Sequence, residues 1–385
     1  MEEKRSIALI VISEPQIYPP TINAANILAE KGYKVYLYGI KYTTKDKAAL
    51  HPDIVMTYWG KQEQGFKNAL KYFSIYFRLL KDSYKYKFDW MIAYDAFAVG
   101  PTYFVAKFRN IKWVYHQHDW WQKPIGYFQK LVSKLEFKLG SKATIVSFPQ
   151  EFRAKLFQEQ SGVKNLPLIV YNGPRLNWAK PQPIHPKLKT IKENFDKILI
   201  YQGGLSIYFG LENLIKALPL LNKKVALLFL GKALDNKIEN KLQKMATEKN
   251  VTNQIFFWED YVSYDDLPAI TAFCNIGIAK LTYNEMHAPI NDKYIAGASN
   301  KLAEYMAAGL PILASNTEDN IAFYSKHNIG LLCQTNDEKE IAIALNKLLD
   351  DENFANTMSA RNKKNFSEEY NFDTQFNKLF QKINN

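Results

Sequence analysis

The stretch from Asn300 to Ser315, NKLAEYMAAGLPILAS, restricts the fold more than any other part of the sequence. Asn300 is a good N-cap, and Leu302, Tyr305 and Met306 recur at spacings of three and four, which is one apolar face of a helix. Gly309 stops that helix and Pro311 prevents its continuation. Ile312, Leu313 and Ala314 then form a short run apolar on both sides, as in a strand buried inside a parallel sheet. Parallel strands need helical crossovers, so the chain is expected to be α/β.

The same helix begins with polar residues that can do chemistry. Its first turn offers backbone N–H groups and a partial positive charge, to which Lys301 adds a full one, while Glu304 lies one turn further in. This combination suits a diphosphate, with Glu304 accepting from sugar hydroxyls. It is also what an ordinary solvated helix start carries, and two residues alone do not separate the readings.

At 385 residues the chain has room for two domains. A composition that is 47% hydrophobic and 14% aromatic excludes disorder, because it supplies two cores. Cys274 and Cys333 have no metal-type spacing and fit core positions in a reduced compartment. Lys4 and Arg5 precede the apolar run Ile7 to Ile12, but Glu14 and Pro15 interrupt it before a signal peptide develops. No run approaches the ~18 apolar residues of a membrane span. The expectation is a cytoplasmic protein, with peripheral contact to the inner face of the cytoplasmic membrane left open. Residues 1–175 carry 26 basic against 14 acidic residues and residues 176–385 carry 24 of each, so the whole net charge of +12 lies in the first half. That asymmetry suits an anionic partner such as a membrane surface, although Lys-rich composition alone also produces it.

Along the first half, Ser6 to Ile12, Ile22 to Lys31 and Lys34 to Tyr38 read as strand, helix and strand, the opening of a doubly wound domain. The first loop contains Pro19 and Pro20. From Phe66 to Lys87 an apolar stripe of Phe66, Leu70, Phe73, Phe77 and Leu80 runs beside Lys67, Lys71, Arg78, Lys81 and Lys85. Trp120 to Lys142 repeats the pattern with Trp121, Tyr127, Phe128 and Leu131 among Lys123, Lys130, Lys134 and Lys138. Such helices lie on anionic membranes or pack with a basic outer face. Phe88 to Ala93 and Lys112 to Tyr115 read as strands, the latter running into His116, Gln117, His118 and Asp119. If that strand continues, the two histidines point to opposite faces, and no third ligand accompanies them, so no metal site is expected. Thr144 to Phe148, the helix Gln150 to Glu159 and Ile169 to Tyr171 complete this half.

Pro174, Pro181, Pro183 and Pro186 mark a linker, with the boundary near Arg175. The second half restarts with the strand Lys197 to Tyr201, then Gln202, Gly203, Gly204 and a helix from about Leu211 to Leu218. That order makes a phosphate cradle, since glycine lets backbone N–H groups approach an anion. Strands follow at Val225 to Leu230, Gln254 to Phe257 and Ile276 to Leu281, with Ser263 and Asp266 as a near capping box for the intervening helix. Phe366 to Ile383 is a helical, aromatic tail.

The order Asn300-Lys301-Leu302-x-Glu304-Tyr305-Met306-x-Ala308-Gly309-Leu310-Pro311 resembles the donor segment of retaining glycosyltransferases of the GT-B fold, family four (glycosyl transferases group 1). Trp113 to Asp119 resembles their Val-Tyr-Asp-x-His-Glu segment, Asn172-Gly173-Pro174 their exit from the first domain, and Tyr201 to Leu205 with Gly210 to Ile215 the opening of their donor domain. The resemblance implies two doubly wound Rossmann-like domains facing across a cleft: 1–175 for the acceptor, 176–365 for the nucleotide-sugar donor, and a C-terminal helix, 366–385, returning to the first domain. It implies that Gly203, Gly204, Asn300, Lys301 and Glu304 bind the donor, Lys301 holding the diphosphate and Glu304 the ribose. His118 would position the reacting groups, with His116 and Asp119 on the acceptor side. The implied activity is retaining, metal-independent sugar transfer to a glycan or lipid-linked acceptor in cell-surface polysaccharide or glycolipid synthesis, with no cofactor beyond the donor substrate. No recognised module points to nucleic acid. The sequence departs from the family at Ala296, where a first Glu often stands, at Gly204 and Phe209, where Arg and Lys often stand, and at Pro19 and Pro20, in place of a glycine pair. Lys280 is a candidate substitute cation. Two alternatives fit the same fold: a nucleotide-sugar epimerase, and a non-catalytic sugar- or lipid-binding protein.

Overall fold

The computed structural model describes residues 4–41, 49–61, 66–120, 126–180, 183–206, 209–233, 236–258, 262–279, 281 and 290–385. The chain divides into two compact units, Met1–Asn172 with Phe372–Asn385, and Gly173–Asn371.

In the first unit the elements follow as β1 (Ser6–Val11), α1 (Pro19–Glu30), β2 (Lys34–Lys41), β3 (Ile54–Lys61), α2 (Phe66–Tyr86), β4 (Trp90–Tyr94), α3 (Asp95–Arg109), β5 (Lys112–His116), α4 (Gly126–Gly140), β6 (Ile145–Phe148), α5 (Glu151–Ser161) and β7 (Leu168–Ile169). Among the described residues they make a seven-stranded sheet in the order β3-β2-β1-β4-β5-β6-β7, every pairing parallel. The order reverses beside β1, the topological switch point at which doubly wound sheets open a crevice. Right-handed crossovers that step from β3 towards β6 carry α2, α3 and α4 onto one face, and the opposite step from β1 to β2 carries α1 onto the other. Pro19 and Pro20 occupy the first positions of α1, where a missing N–H costs nothing.

The second unit runs α6 (Pro186–Asn194), β8 (Lys197–Gln202), α7 (Leu211–Ala217), β9 (Val225–Leu230), α8 (Asn236–Glu248), β10 (Ile255–Trp258), α9 (Leu267–Thr271), β11 (Ile276–Ile278), α10 (Ile290–Lys293), α11 (Asn300–Ala308), β12 (Ile312–Ser315), α12 (Glu318–His327), β13 (Gly330–Cys333), α13 (Glu338–Asp350) and α14 (Glu352–Asn365). Its sheet, again parallel, has the order β10-β9-β8-β11-β12-β13. A π-helical turn, Phe366–Tyr370, follows. The last helix, α15 (Phe372–Asn384), belongs to the first unit, where Phe372, Phe376, Leu379 and Ile383 join the core beside α1. Cys274 and Cys333 are buried and unpaired. Among the described residues no helix is long and apolar enough to cross a membrane.

Four local expectations are corrected. Pro186 opens α6 instead of prolonging a linker, because His185 accepts from the Lys187 N–H as its cap. Asp266, not Ser263, occupies the cap position of α9, and the Ser263 hydroxyl donates to its carboxylate over 2.6 Å. The edge strand β3 was not expected, although it opens on the apolar run Ile54, Val55 and Met56; as an edge strand its residues are mostly half-buried. On α2 the buried stripe is Tyr72, Ile75, Leu79 and Ser83, while Phe73 and Phe77 face solvent. Trp121, Lys123, Lys280 and residues 283–289 lie outside the described residues, as do the side chains of Phe66, Lys67 and Leu70.

Candidate functional site

Each unit carries a polar constellation at the carboxyl end of its sheet. In the second unit it forms where β8 ends and α11 begins. Tyr305, fully buried, fixes the helix to the sheet: its hydroxyl accepts from the Gln202 N–H over 2.9 Å and lies 3.1 and 3.2 Å from the carbonyls of Ile200 and Ile278. The ring occupies the space a side chain on Gly277 would fill, with its nearest atoms 2.5 Å from the position of a Cβ there. A glycine in β11 is thus what allows α11 to seat over the strand ends.

Seating α11 brings three residues together. The Lys301 ammonium lies 4.2 Å from the centre of the Tyr201 ring and 3.1 Å from where a Gly203 side chain would begin. Gly203 has φ of +113°, and its N–H donates to Leu230 over 2.9 Å. A Cβ on Gly231 would overlap the Gly203 carbonyl, so two glycines keep this loop thin. Glu304 is buried; Gln202 donates to it through Nε2 over 2.9 Å, and Thr271 donates to Gln202 Oε1 over 2.7 Å. Burial pushes the Glu304 carboxyl up to about 7, against the pull of the Lys301 charge and the Gln202 hydrogen bond. The result is a cation, a half-neutral acid and a helix start around one glycine turn, an arrangement that can grip a diphosphate and accept from hydroxyls.

In the first unit the constellation forms where β4 and β5 end. Asp95 follows β4 directly with a left-handed backbone, φ +62°. Its Oδ1 accepts from the N–H groups of His118 and Asp119 over 2.6 and 3.1 Å, and its Oδ2 lies 3.5 Å from His118 Nδ1. The imidazole is stacked on Tyr94 at 4.7 Å and on Tyr18 at 5.4 Å, with Nε2 3.4 Å from the Thr21 hydroxyl. Buried Arg153 donates to the His118 carbonyl over 3.0 Å. Orientation of this ring is therefore determined from four sides.

The sequence-selected residues are placed as follows. Lys301, Glu304 and Gly203 are brought together. Gly204 adjoins them, its carbonyl accepting from the Tyr201 hydroxyl over 3.1 Å. Asn300 is the first residue of α11 and not its cap; Ser299, in extended backbone, holds that place and makes no side-chain cap bond. The Asn300 Oδ1 is shielded from solvent and has no hydrogen-bond partner among the described residues. Phe209 is buried in the second core and supplies packing without charge. Ala296 is buried as well, and its N–H donates to Asp319, which also accepts from Ile295. The strand expected to separate His116 from His118 ends at His116, so the chain turns and the rings lie 5.1 Å apart, edge to face. His116 Nδ1 is 2.7 Å from the Ser147 hydroxyl, and burial holds its protonation well below the usual histidine range. Asp119 is exposed. Sequence reasoning missed Thr271, Gly231 and Asp95, and placed Gln202 in the glycine turn without its bond to Glu304, although Asp95 and Gly231 each follow directly on a run of buried strand residues, which is where doubly wound sheets put ligands. Among the described residues no three His, Cys, Asp or Glu side chains gather in a metal-binding group.

The profile of the family described as glycosyl transferases group 1 matches residues 186–365. No curated protein matches the sequence. Among solved structures, the chain is similar to HepE of Anabaena in complex with UDP and glucose, with TM-score 0.74 and 16% identity over 99% of this chain and 100% of that one. It is similar to sucrose-phosphate synthase from Thermosynechococcus elongatus, with TM-score 0.75 and 16% identity over 99% of each chain. It is also similar to WaaG, a glycosyltransferase involved in lipopolysaccharide biosynthesis, with TM-score 0.69 and 13% identity over 98% of this chain and 99% of that one. These likenesses establish the fold as GT-B, with two Rossmann-like α/β units.

Proposed function

Because residues 186–365 belong to the glycosyl transferases group 1 family, we propose that the chain is a glycosyltransferase which takes a sugar from a nucleotide diphosphate bound at the β8–α11 end of the second unit. The observation that carries this reading is the Lys301 ammonium set against the Gly203 backbone, with Glu304 tied to the same turn through Gln202. UDP and glucose in HepE, a similar fold, support a UDP-sugar as the first donor to try. The role of WaaG in lipopolysaccharide synthesis supports a glycan or lipid-linked acceptor, which the first unit would hold near His118.

In this reading the bond from the anomeric carbon to the diphosphate breaks as an acceptor hydroxyl attacks on the same face, and its proton passes to the departing phosphate oxygen. Configuration is retained and no protein nucleophile is used. Lys301 and the N–H groups opening α11 stabilise the charge that grows on the leaving group. Such donors are fixed before the reaction, so no reorganisation is needed as charge develops. Glu304, charged or hydrogen-bonded at neutral pH, accepts from the ribose.

Thermal unfolding with UDP, GDP, ADP and their sugars tests the proposal. A nucleotide held at a hundredfold excess over its Kd should stabilise the fold by about 2.7 kcal/mol, and Lys301→Ala should remove that response. If no nucleotide raises the melting temperature, the donor site does not exist. Formation of an epimer from the donor with no acceptor present would replace transfer by epimerisation.

A further inference from the structure

From the exposed face of α2, α3 and α4 we infer that the first unit docks on an anionic lipid bilayer, in addition to any chemistry at the strand ends. The inference begins with packing. Tyr72 and Tyr76 of α2 turn inward against Gly100 of α3; the Tyr72 hydroxyl lies 3.0 Å from where a Gly100 Cβ would be and donates to the Phe97 carbonyl over 3.0 Å. With the inner side of α2 satisfied by these residues and by Ile75 and Leu79, Phe73 and Phe77 are left facing solvent.

They are not isolated. Phe73 contacts Tyr76 at 6.3 Å, Tyr76 contacts Phe104 of α3 at 5.8 Å, and Phe104 stacks on Phe108 at 6.5 Å, making one aromatic ridge across two helices. Phe77 is 72% exposed, Phe108 63%, and Tyr127 on the neighbouring α4 85%. A soluble surface has no reason to set three exposed i, i+4 pairs, Phe73 with Phe77, Phe104 with Phe108 and Tyr127 with Leu131, on helices that share one face of a sheet. The core does not use them.

Charge selects the occupant. The three helices contain ten basic residues against three acidic ones, and of the acidic three Glu136 is buried and Asp95 is engaged at the strand ends. Lys81, Lys85, Lys107, Lys130 and Lys134 are exposed on the same three helices. Exposed aromatic rings on helices that also expose lysines match the chemistry of an anionic membrane interface. A protein partner would meet the same rings with paired charges of both signs. A second copy of this chain would bring like charge against like.

Flotation with vesicles tests this on the full chain. With vesicles of about 30 mol% phosphatidylglycerol at low salt the wild type should float, and with pure phosphatidylcholine it should not. The double variant Phe77→Ser, Phe108→Ser should lose at least about tenfold in bound fraction, as expected for removing two anchoring rings. Its melting temperature and its response to nucleotide should stay those of the wild type, since both positions are exposed and remote in sequence from α11; this separates failure here from failure of the donor site. Equal flotation with neutral vesicles, or undiminished flotation of the double variant, overturns the inference. So does a wild-type oligomer that the double variant converts to monomers without any vesicle binding, which would make the ridge a contact between copies.

Discussion

The two units solve one problem, fixing a polar side chain at the end of a parallel sheet, by opposite means. The first surrounds His118 with other side chains: two tyrosine rings, the Asp95 carboxylate and the Thr21 hydroxyl. The second removes side chains, using Gly203, Gly231 and Gly277 to let Lys301 and Tyr305 close onto the backbone. A sandwich fixes the angle of a ring and leaves little room for anything else. Bare backbone lets the Lys301 ammonium and the Tyr305 ring approach closely and demands only that nothing be added. The comparison predicts that the first site is sensitive to the identity of its partners and the second to the size of its glycines.

The largest effect is expected at the cation. Lys301→Ala should lower sugar transfer by about 10³-fold, within the range found when one donor to a developing charge is removed. The fold should survive, because Lys301 is only half-buried while Tyr305 does the anchoring. Full activity in that variant would end the comparison, since the second site would then have no charged centre. Unchanged melting temperature with lost transfer would sharpen it.

A smaller effect separates two buried acids, one in each unit. Burial raises Glu136 and Glu304 from the ordinary carboxyl value of 4.5 to about 7 each. Glu136 accepts from Tyr115 and from Gln117, and its Oε2 has no hydrogen-bond partner among the described residues. An acid raised on folding binds its proton more tightly in the native state, so stability is greatest below about 4.5, falls as pH rises to about 7, and is then level. The penalty at pH 8 is on the order of 3 kcal/mol per group. Glu136→Gln should remove that share, flattening the decline of melting temperature between pH 5 and 8, and should leave nucleotide affinity unchanged. Glu304→Gln should flatten the decline as well but weaken nucleotide binding. Equal nucleotide affinity in both variants would show that Glu304 is a packing residue like Glu136.

Much of this was legible in the sequence, and the failures have physical causes. Apolar runs bounded by glycine, proline or charge located most of the strands, because a buried parallel strand must be apolar on both sides. Lys301, Glu304 and Gly203 were legible because helix start and glycine turn have local signatures. Asp95 was not, since its role depends on the end of β5 reaching it from more than twenty residues away in sequence. Gln202 and Thr271 likewise act only through a hydrogen bond that spans 69 residues. The inner stripe of α2 was misassigned because a helix with aromatics on two faces offers two apolar stripes, and only the tyrosine hydroxyls, buried at Gly100, decide between them.

The smallest expected effect bears most directly on the contrast between the units. Asp95→Asn keeps an oxygen for the His118 and Asp119 N–H groups, so the loop should hold, but it removes the negative charge 3.5 Å from His118 Nδ1. A carboxylate beside an imidazole favours the tautomer with its proton on Nδ1 and leaves Nε2 as the acceptor facing Thr21. Without the charge that preference weakens, and transfer should drop by about tenfold, at the low end of what positioned proton acceptors contribute. Because the side chain acts through another residue, the activity loss alone does not identify its role. Nucleotide-induced stabilisation, carried by the second unit, should be that of the wild type, so that a lost positioning contact is told apart from a lost donor site. A variant with wild-type activity would mean that the aromatic sandwich alone fixes His118, and that Asp95 serves only to hold two backbone N–H groups.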